Sequence, residues 1–413
     1  MKKKVLLAIA DGVGDRPCEE LGWKTPLQYA DTGCLDELAK GGACGIMDLY
    51  HAGIPVGTDL GHLILFGYGI KDYPGRGPIE AFGDGVELIG GDVAFRCNFA
   101  TADEEGIITD RRAGRIRTGT NQLAQALNGM KIGDIQVLFK EATEHRAVLV
   151  LRGKGLSSSV SDTDPKKEGK PIKTAQALNE SPEAGYTADI LNQVLEQAHK
   201  ILSAHPLNKE RKENGLLPAN CILTRGAGMM TQIEKITEKL GFTACCVASE
   251  RTVLGVARLA GFDVVTDEAF TGNIDTDIGK KADLAVEALK THDFVALHYK
   301  ATDLMGHDNN PFGKVKAIEQ FNQMVGKVLE GIRQEIEEPV VVALAADHST
   351  PCERKEHSGE PVPVVISGKC IRQDKVSSYD EIACAEGGLG RITGNDFHCM
   401  LLDYLEATVK QGN

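Results

Sequence analysis

The apolar residues of this chain come in short unbroken runs, each followed by Gly, Asp or Ser and then by a longer stretch with helical spacing. The clearest runs are 4–10, 219–223, 244–248, 294–299, 339–346 and 362–366. Runs of this length without alternation predict strands buried on both faces, as in a parallel sheet covered by helices. Between two of them Val315, Ile318, Phe321, Met324/Val325, Val328/Leu329 and Ile332 repeat at helical spacing. That pattern predicts an amphipathic helix of about five turns with one core-facing stripe. A second such helix is expected from 175 to 204, before the charged break 205–215. The alternation of strand and helix gives an α/β core with a doubly wound, mostly parallel sheet.

The stretch 92–171 breaks the pattern. It holds Arg96, Arg111, Arg112, Arg115, Arg117, Arg146 and Arg152, a loop-like segment 156–164 and a Lys-rich segment 165–173. We read a smaller α+β insertion over 92–174, with the core formed by 1–91 and 175–413. The total of 413 residues suits one interrupted core plus an insertion.

Composition narrows the function classes. With 42% hydrophobic residues the chain can bury a sizeable core, and a net charge of −13 argues against a general nucleic-acid binder. The basic start 1–4 and the apolar stretch 5–10 look briefly like a secretory signal, but Asp11 ends the run short of the roughly 7–15 residues such a segment needs. Other apolar runs, such as 340–346, fall far below the ~20 residues of a membrane span. The eleven cysteines form an odd set with no CxxC pair, which reads as a reduced, cytoplasmic protein without a zinc finger or disulfide framework.

The chemistry gathers where strands end. Run 5–10 leads into Asp11, 341–346 into Asp347-His348, and 294–299 leads within four residues to Asp303. In open α/β sheets the ligand crevice lies beyond the carboxyl ends of the strands, so these aspartates should converge. One such Asp is commonly a helix N-cap. Here Asp303-x-x-x-His307, Asp347-His348 and nearby His357 place oxygen and nitrogen donors beside the same edge, enough for two divalent ions. Thr58, in Gly57-Thr58-Asp59 ahead of an apolar helical run, is placed at a helix start, where backbone N–H groups favour a phosphoryl group. It is either an ordinary N-cap or a nucleophile activated by metal.

The chain resembles the archaeal-type, cofactor-independent phosphoglycerate mutases of the alkaline phosphatase superfamily, in order and over nearly its whole length. The likeness rests on Asp11-Gly-Val-Gly-Asp-Arg-Pro17, Gly57-Thr-Asp-Leu-Gly-His62, Gly75-Arg-Gly-Pro-Ile-Glu-Ala81 and Phe95-Arg-Cys-Asn-Phe-Ala-Thr101. It continues through Asp110-Arg-Arg-Ala-Gly-Arg-Ile116, Glu144-His-Arg-Ala147, Val160-Ser-Asp-Thr-Asp-Pro165 and Arg225-Gly-Ala-Gly228. Lys300-Ala-Thr-Asp303, Gly306-His-Asp308, Asp347-His-Ser-Thr-Pro-Cys352, His357-Ser-Gly359 and Gly387-Gly-Leu-Gly-Arg-Ile392 complete it.

The resemblance implies an alkaline-phosphatase-like core, an inserted cap that closes over the substrate, and two metal ions, manganese, magnesium or zinc, with no requirement for 2,3-bisphosphoglycerate. By its pattern Asp11, Asp347 and His348 hold one ion, Asp303, His307 and His357 the other, and Thr58 is the nucleophile touching the metal. The implied reaction interconverts 3-phosphoglycerate and 2-phosphoglycerate in glycolysis through a phosphothreonine. Such a substrate is a small, highly anionic metabolite. Arg111, Arg146, Arg152 and Arg225 are candidates to clamp its carboxylate, and Asp162 or Asp164 to carry a proton between its hydroxyls. No nucleic-acid or membrane partner is expected, and a homo-oligomer is compatible with the sequence.

Two departures stand out. Family mutases usually have Ser where Thr58 stands, so the extra methyl narrows the room for a reorienting glycerate. The segment 249–255 lacks the expected Lys before Gly255, with Arg251 as its substitute. The alternatives are a dimetal phosphatase, phosphodiesterase or phosphonate hydrolase acting on another small phosphorylated substrate, and a non-catalytic binding protein that kept the ligands.

Overall fold

The structure, a computed structural model, describes residues 3–408 and 410–412, so Met1 and Lys2 of the basic start lie outside the described residues. The chain forms two compact units, Met1–Tyr73 with Glu234–Asn413, and Pro74–Ile233. In chain order the first unit begins with β1 (Lys4–Ala10) and β2 (Gly42–Asp48). The second holds β3 (Val93–Ala102), β4 (Ile107–Asp110), β5 (Lys131–Ile132), β6 (Ile135–Glu141), β7 (Arg146–Arg152), β8 (Lys170–Pro171) and β9 (Cys221–Met229). The first unit resumes with β10 (Ala244–Val247), β11 (Asp263–Val265), β12 (Phe294–Tyr299), β13 (Val340–Ala345), β14 (Val362–Ser367) and β15 (Gly390–Thr393).

The first unit is the predicted α/β layer structure. Its sheet runs β11-β10-β12-β1-β13-β14-β2-β15. β1 lies parallel to both β12 and β13, and it is buried along its whole length, as its unbroken apolar run requires. The predicted amphipathic helix is Pro311–Glu335, which buries Val315, Ile318, Phe321, Met324, Val325 and Val328. One apolar run behaves differently from its neighbours: β14 pairs antiparallel with both β13 and β2. Burial on two faces dictates the apolar composition and leaves strand direction open.

The second unit is an antiparallel sheet, β5-β6-β7-β3-β4-β8 with β9 also on β3, covered on one face by the helix Pro182–Ala204. Phe95, Phe99, Leu149 and Leu151 from the strands meet Leu191, Val194 and Leu202 from that helix in one core. This α+β unit is wider than the 92–174 read from the sequence. It takes in the helix Arg76–Gly83, the long helix and β9, so the run 219–223 belongs here and not to the parallel sheet. An apolar strand and an amphipathic helix carry the same pattern in either unit, and only tertiary pairing assigns them.

A buried ion pair fixes the loops at the top of β1 and β13. The Lys314 ammonium donates to the Asp15 carboxylate at 2.8 Å, to the Thr350 carbonyl at 2.9 Å and to the Gly14 carbonyl at 3.2 Å, while Asp15 also accepts from the Cys352 and Arg16 amides. Both side chains are fully buried and fully partnered. Lys314→Met should therefore strand a buried carboxylate and destabilise the fold by about 3–5 kcal/mol in denaturant unfolding. A loss below 1 kcal/mol would remove this pair from the scaffold.

His398, on the helix Gly394–Tyr404, donates through Nδ1 to the Leu65 carbonyl at 2.8 Å, and its Nε2 faces Gly67 without a partner. A Cβ at Gly67 would stand 2.4 Å from that nitrogen, and φ is +95°, so only glycine fits. Burial pushes the imidazole down to about 4, below its ordinary 6.5. The folded protein thus keeps His398 neutral over a range where the unfolded chain binds a proton, so this contribution is intact above pH 6.5 and falls as pH drops toward 4. His398→Asn keeps the donor and cannot titrate. The wild-type advantage over it should shrink by about 2 kcal/mol between pH 7 and pH 5. Parallel stability curves for the two proteins would contradict this.

Candidate metal centre

Sheet register assembles the site. β1 ends level with β12 (Ala10 opposite Tyr299) and with β13 (Ile9 opposite Ala345). Carried on by one or two residues, the same register brings Asp11, Lys300 and Asp347 out at one height. β12 runs through Lys300 into the helix Ala301–His307, which places Asp303 in its first turn and His307 in its last. Thr58 opens the helix Thr58–Leu65 as predicted, half-buried, with its backbone at the positive end of the helix. His357 comes from the loop before β14.

The structure brings all seven of these predicted residues together. Donor atoms of Asp11, Asp347 and His348 lie within 4.8 Å of one another, as do those of Asp303, His348 and His357, and those of His307, Glu356 and His357. The Nε2 atoms of His307 and His357 stand 3.4 and 3.5 Å from Asp303 Oδ1, and His357 stacks on His348 at 3.6 Å. The Thr58 hydroxyl is 3.3 Å from His348 Nε2. It therefore sits at the residue shared by the first two of these three sets.

The donor set fits divalent cations on two observations. Each of the three histidines has Nδ1 tied at its back: His348 to the Thr350 hydroxyl at 3.1 Å, His307 to the Lys355 carbonyl and His357 to the Val56 carbonyl, both at 2.9 Å. With Nδ1 donating at its back, each ring turns Nε2 toward the carboxylates, and a metal that displaced the Nε2 proton would find the lone pair in the orientation ligands need. The second observation is a buried orphan. Asp347 Oδ2 makes no hydrogen bond, although His348 Nε2 and His62 Nδ1 approach to 3.1 and 3.3 Å. A fully buried carboxylate oxygen in that state wants a cation.

Charge is balanced locally. Burial opposes ionisation of Asp303, and the His357 contact and the Lys300 ammonium outweigh it, holding this carboxyl well below the usual range. Asp347 is likewise held down against burial by His348 and His62. Burial works against the charge on Lys300, and Asp11 and Asp303 overcome it, raising its pKa. Its ammonium lies 3.1 Å from both oxygens of Asp11 and 2.6 Å from Asp303.

Sequence reasoning passed over Lys300, His62, His298 and Thr350 as site residues. Lys300 follows β12 directly, so the strand-exit argument that found Asp303 would have found it. Thr350 donates to Asp303 at 2.6 Å. His298 lies inside a strand and His62 inside a helix, where a lone histidine carries no signal of its own.

Within the second unit the candidates divide. Arg111 grips Asp164 through two bonds of 3.0 and 2.6 Å, Arg225 stands 3.9 Å from the same carboxylate, and Asp162 accepts from the Gly226 amide at 2.9 Å. Arg146 is paired with Asn98 and Arg225 with Arg96, positions two apart on β3, so both arginines share one face with this group. Arg152 is separate. It ends β7, about 20 Å from Arg146 by strand rise, and its guanidinium is taken up by Asp92 and the Glu87 carbonyl. In the first unit, the position before Gly255 is filled by buried Leu254, and Arg251 is exposed at the start of its helix.

A family model described as 2,3-bisphosphoglycerate-independent phosphoglycerate mutase matches residues 39–208. A protein of that name from Methanopyrus kandleri is 46% identical over 100% of this chain and 99% of its own length. A solved structure of a Pyrococcus horikoshii protein superposes with a TM-score of 0.82 and 38% identity, covering 100% of both chains. The cofactor-independent phosphoglycerate mutase of Thermoplasma acidophilum gives 0.74 and 36%, over 98% of this chain and 100% of its own. With identity at this level along the full length, the chain belongs to the 2,3-bisphosphoglycerate-independent phosphoglycerate mutase family.

Proposed function

We propose that the protein interconverts 3-phosphoglycerate and 2-phosphoglycerate, in glycolysis, by way of a phosphothreonine at Thr58. The observation that carries this reading is the position of Thr58: a hydroxyl at a helix start, 3.3 Å from His348 Nε2, where two sets of Asp and His donors adjoin. Asp11, Asp347 and His348 would hold one divalent ion and Asp303, His307 and His357 the other, with manganese, magnesium or zinc all suited to the donors. Such ions neutralise phosphoryl oxygens and lower the pKa of a nearby hydroxyl.

The residues divide the remaining work. Thr58 Oγ attacks phosphorus in line, forming the O–P bond as the P–O bond to glycerate breaks. The Lys300 ammonium and the amides at the start of Thr58–Leu65 add positive potential for the transferred group. Return of the phosphoryl group to the other hydroxyl requires a proton to pass between the two glycerate oxygens. Asp162 suits this better than Asp164, whose carboxyl is held low against burial by Arg111. Arg111, Arg146 and Arg225 are assigned to the substrate carboxylate, since Arg152 is engaged by Asp92. A reduced cytoplasmic setting agrees with eleven cysteines present as free thiols. Among the described residues no helix is long and apolar enough to cross a membrane.

Purified protein given manganese and 3-phosphoglycerate, coupled to enolase, should produce phosphoenolpyruvate absorbance without added 2,3-bisphosphoglycerate. Chelation should abolish the signal and manganese restore it. Thr58→Ala should lower kcat by at least about 10³-fold while the protein still folds and binds metal. Release of free phosphate without 2-phosphoglycerate would make the protein a hydrolase instead. Substantial activity in Thr58→Ala would remove the phosphothreonine.

A further inference from the structure

Two fully buried histidines outside the six proposed ligands, His62 and His298, face each other with ring centroids 5.0 Å apart. Their donor atoms fall within 4.8 Å of each other and of Asp11, a spacing that would also suit a third ion. The hydrogen bonds decide otherwise. His298 Nε2 lies 2.8 Å from Asp11 Oδ2, and His62 Nδ1 lies 2.8 Å from the Thr58 carbonyl and 3.3 Å from Asp347 Oδ2. A nitrogen that donates its proton to an oxygen has no lone pair left for a metal. The other nitrogens, His62 Nε2 and His298 Nδ1, are buried without partners, which suits neutral rings of opposite tautomer.

From this arrangement we infer that His62 and His298 are positioning residues for the first metal: His298 orients the ligand Asp11 through Nε2, and His62, whose Nδ1 is hydrogen-bonded to the Thr58 carbonyl, holds the nucleophile segment against the ligand Asp347 by a 3.3 Å contact that is not itself a hydrogen bond. The inference rests on the two-metal reading above. Both imidazoles occupy places that packing alone would give to a leucine. The helix neighbours of His62 are Leu63, Ile64 and Leu65, all buried, and those of His298 in β12 are Leu297 and Tyr299, also buried. A polar ring there carries a desolvation cost that an aliphatic residue avoids, so the carboxylate contacts are what it supplies. The backbone of His298 is fixed as well, because the buried Lys281 ammonium donates to its carbonyl at 2.8 Å. Asp11 thus meets a metal ligand's usual requirement for an oriented outer partner, and Asp347 has the His62 ring packed beside it.

Opposite tautomers give a crossed test. An Asn amide nitrogen overlays a histidine Nδ1, and a Gln amide nitrogen overlays Nε2. Manganese affinity of metal-freed protein, followed by electron paramagnetic resonance without substrate, should fall about 10–100-fold in His62→Leu and in His298→Leu. His62→Asn and His298→Gln should recover most of that loss, while His62→Gln and His298→Asn should not. In steady-state assays the Leu variants should lose kcat with KM little changed. If a Leu variant fails to fold, the Asn/Gln contrast still decides. Leu variants with wild-type affinity, or equal behaviour of the two amides, overturn the inference and leave the two-metal reading standing. A third tight ion in the wild type that the Leu variants lose would also overturn it. Wild-type protein that binds no manganese overturns both readings.

Discussion

Three buried carboxylates brought to one edge of a sheet are the constraint on which the rest of this structure depends. Asp11, Asp303 and Asp347 are 0–2% exposed, and the parallel register of β1 with β12 and β13 leaves them no freedom to separate. Carboxylates so placed repel strongly in a medium that screens poorly. The chain answers with cations and dipoles from every neighbouring element: Lys300 between Asp11 and Asp303, His298 against Asp11, Thr350 on Asp303, His62 and His348 beside Asp347. None of these partners saturates Asp347. The deficit is local, and it is what a divalent cation would fill.

The net charge of −13 gave no hint of this arrangement, because it sums a surface and a site that obey different rules. It spoke only to the class of partner a basic surface would serve. The cluster of aspartates and histidines was legible in sequence because strand exits are legible: an apolar run that stops at Asp declares both the strand and the position of the side chain. Asp11 and Asp347-His348 follow from that argument alone. Lys300 would have followed from it too, had cations been sought beside the acids.

Other features were not legible, for physical reasons that differ. His62 and His298 sit inside an apolar helix and an apolar strand, where sequence shows a lone polar residue and only geometry shows what it faces. The extent of the second unit was hidden because β9 and the helix Pro182–Ala204 have the same apolar patterns as elements of the parallel sheet. Strand direction was hidden for the same reason at β14. Among the arginines, sequence supplied the residue type and could not say which guanidinium was already spent. Arg152 is, on Asp92, while Arg111 and Arg225 share a single carboxylate.

Buried polar groups in this protein therefore fall into two kinds, and saturation separates them. Lys314 and Asp15 use every donor and both oxygens on one another and on nearby backbone, and Arg152 commits its Nε and Nη2 to Asp92 and Glu87. Such closed groups have nothing left to offer a ligand, and their work is to hold loops at fixed distances. Around Asp11, Asp303 and Asp347 the accounting stays open: three histidines are tied at Nδ1 and point their free nitrogens inward, and a carboxylate oxygen is left over. An open group of this sort is costly to bury, and the closed Lys314–Asp15 group holds the loops that follow β1 and β13 at fixed distances beside it.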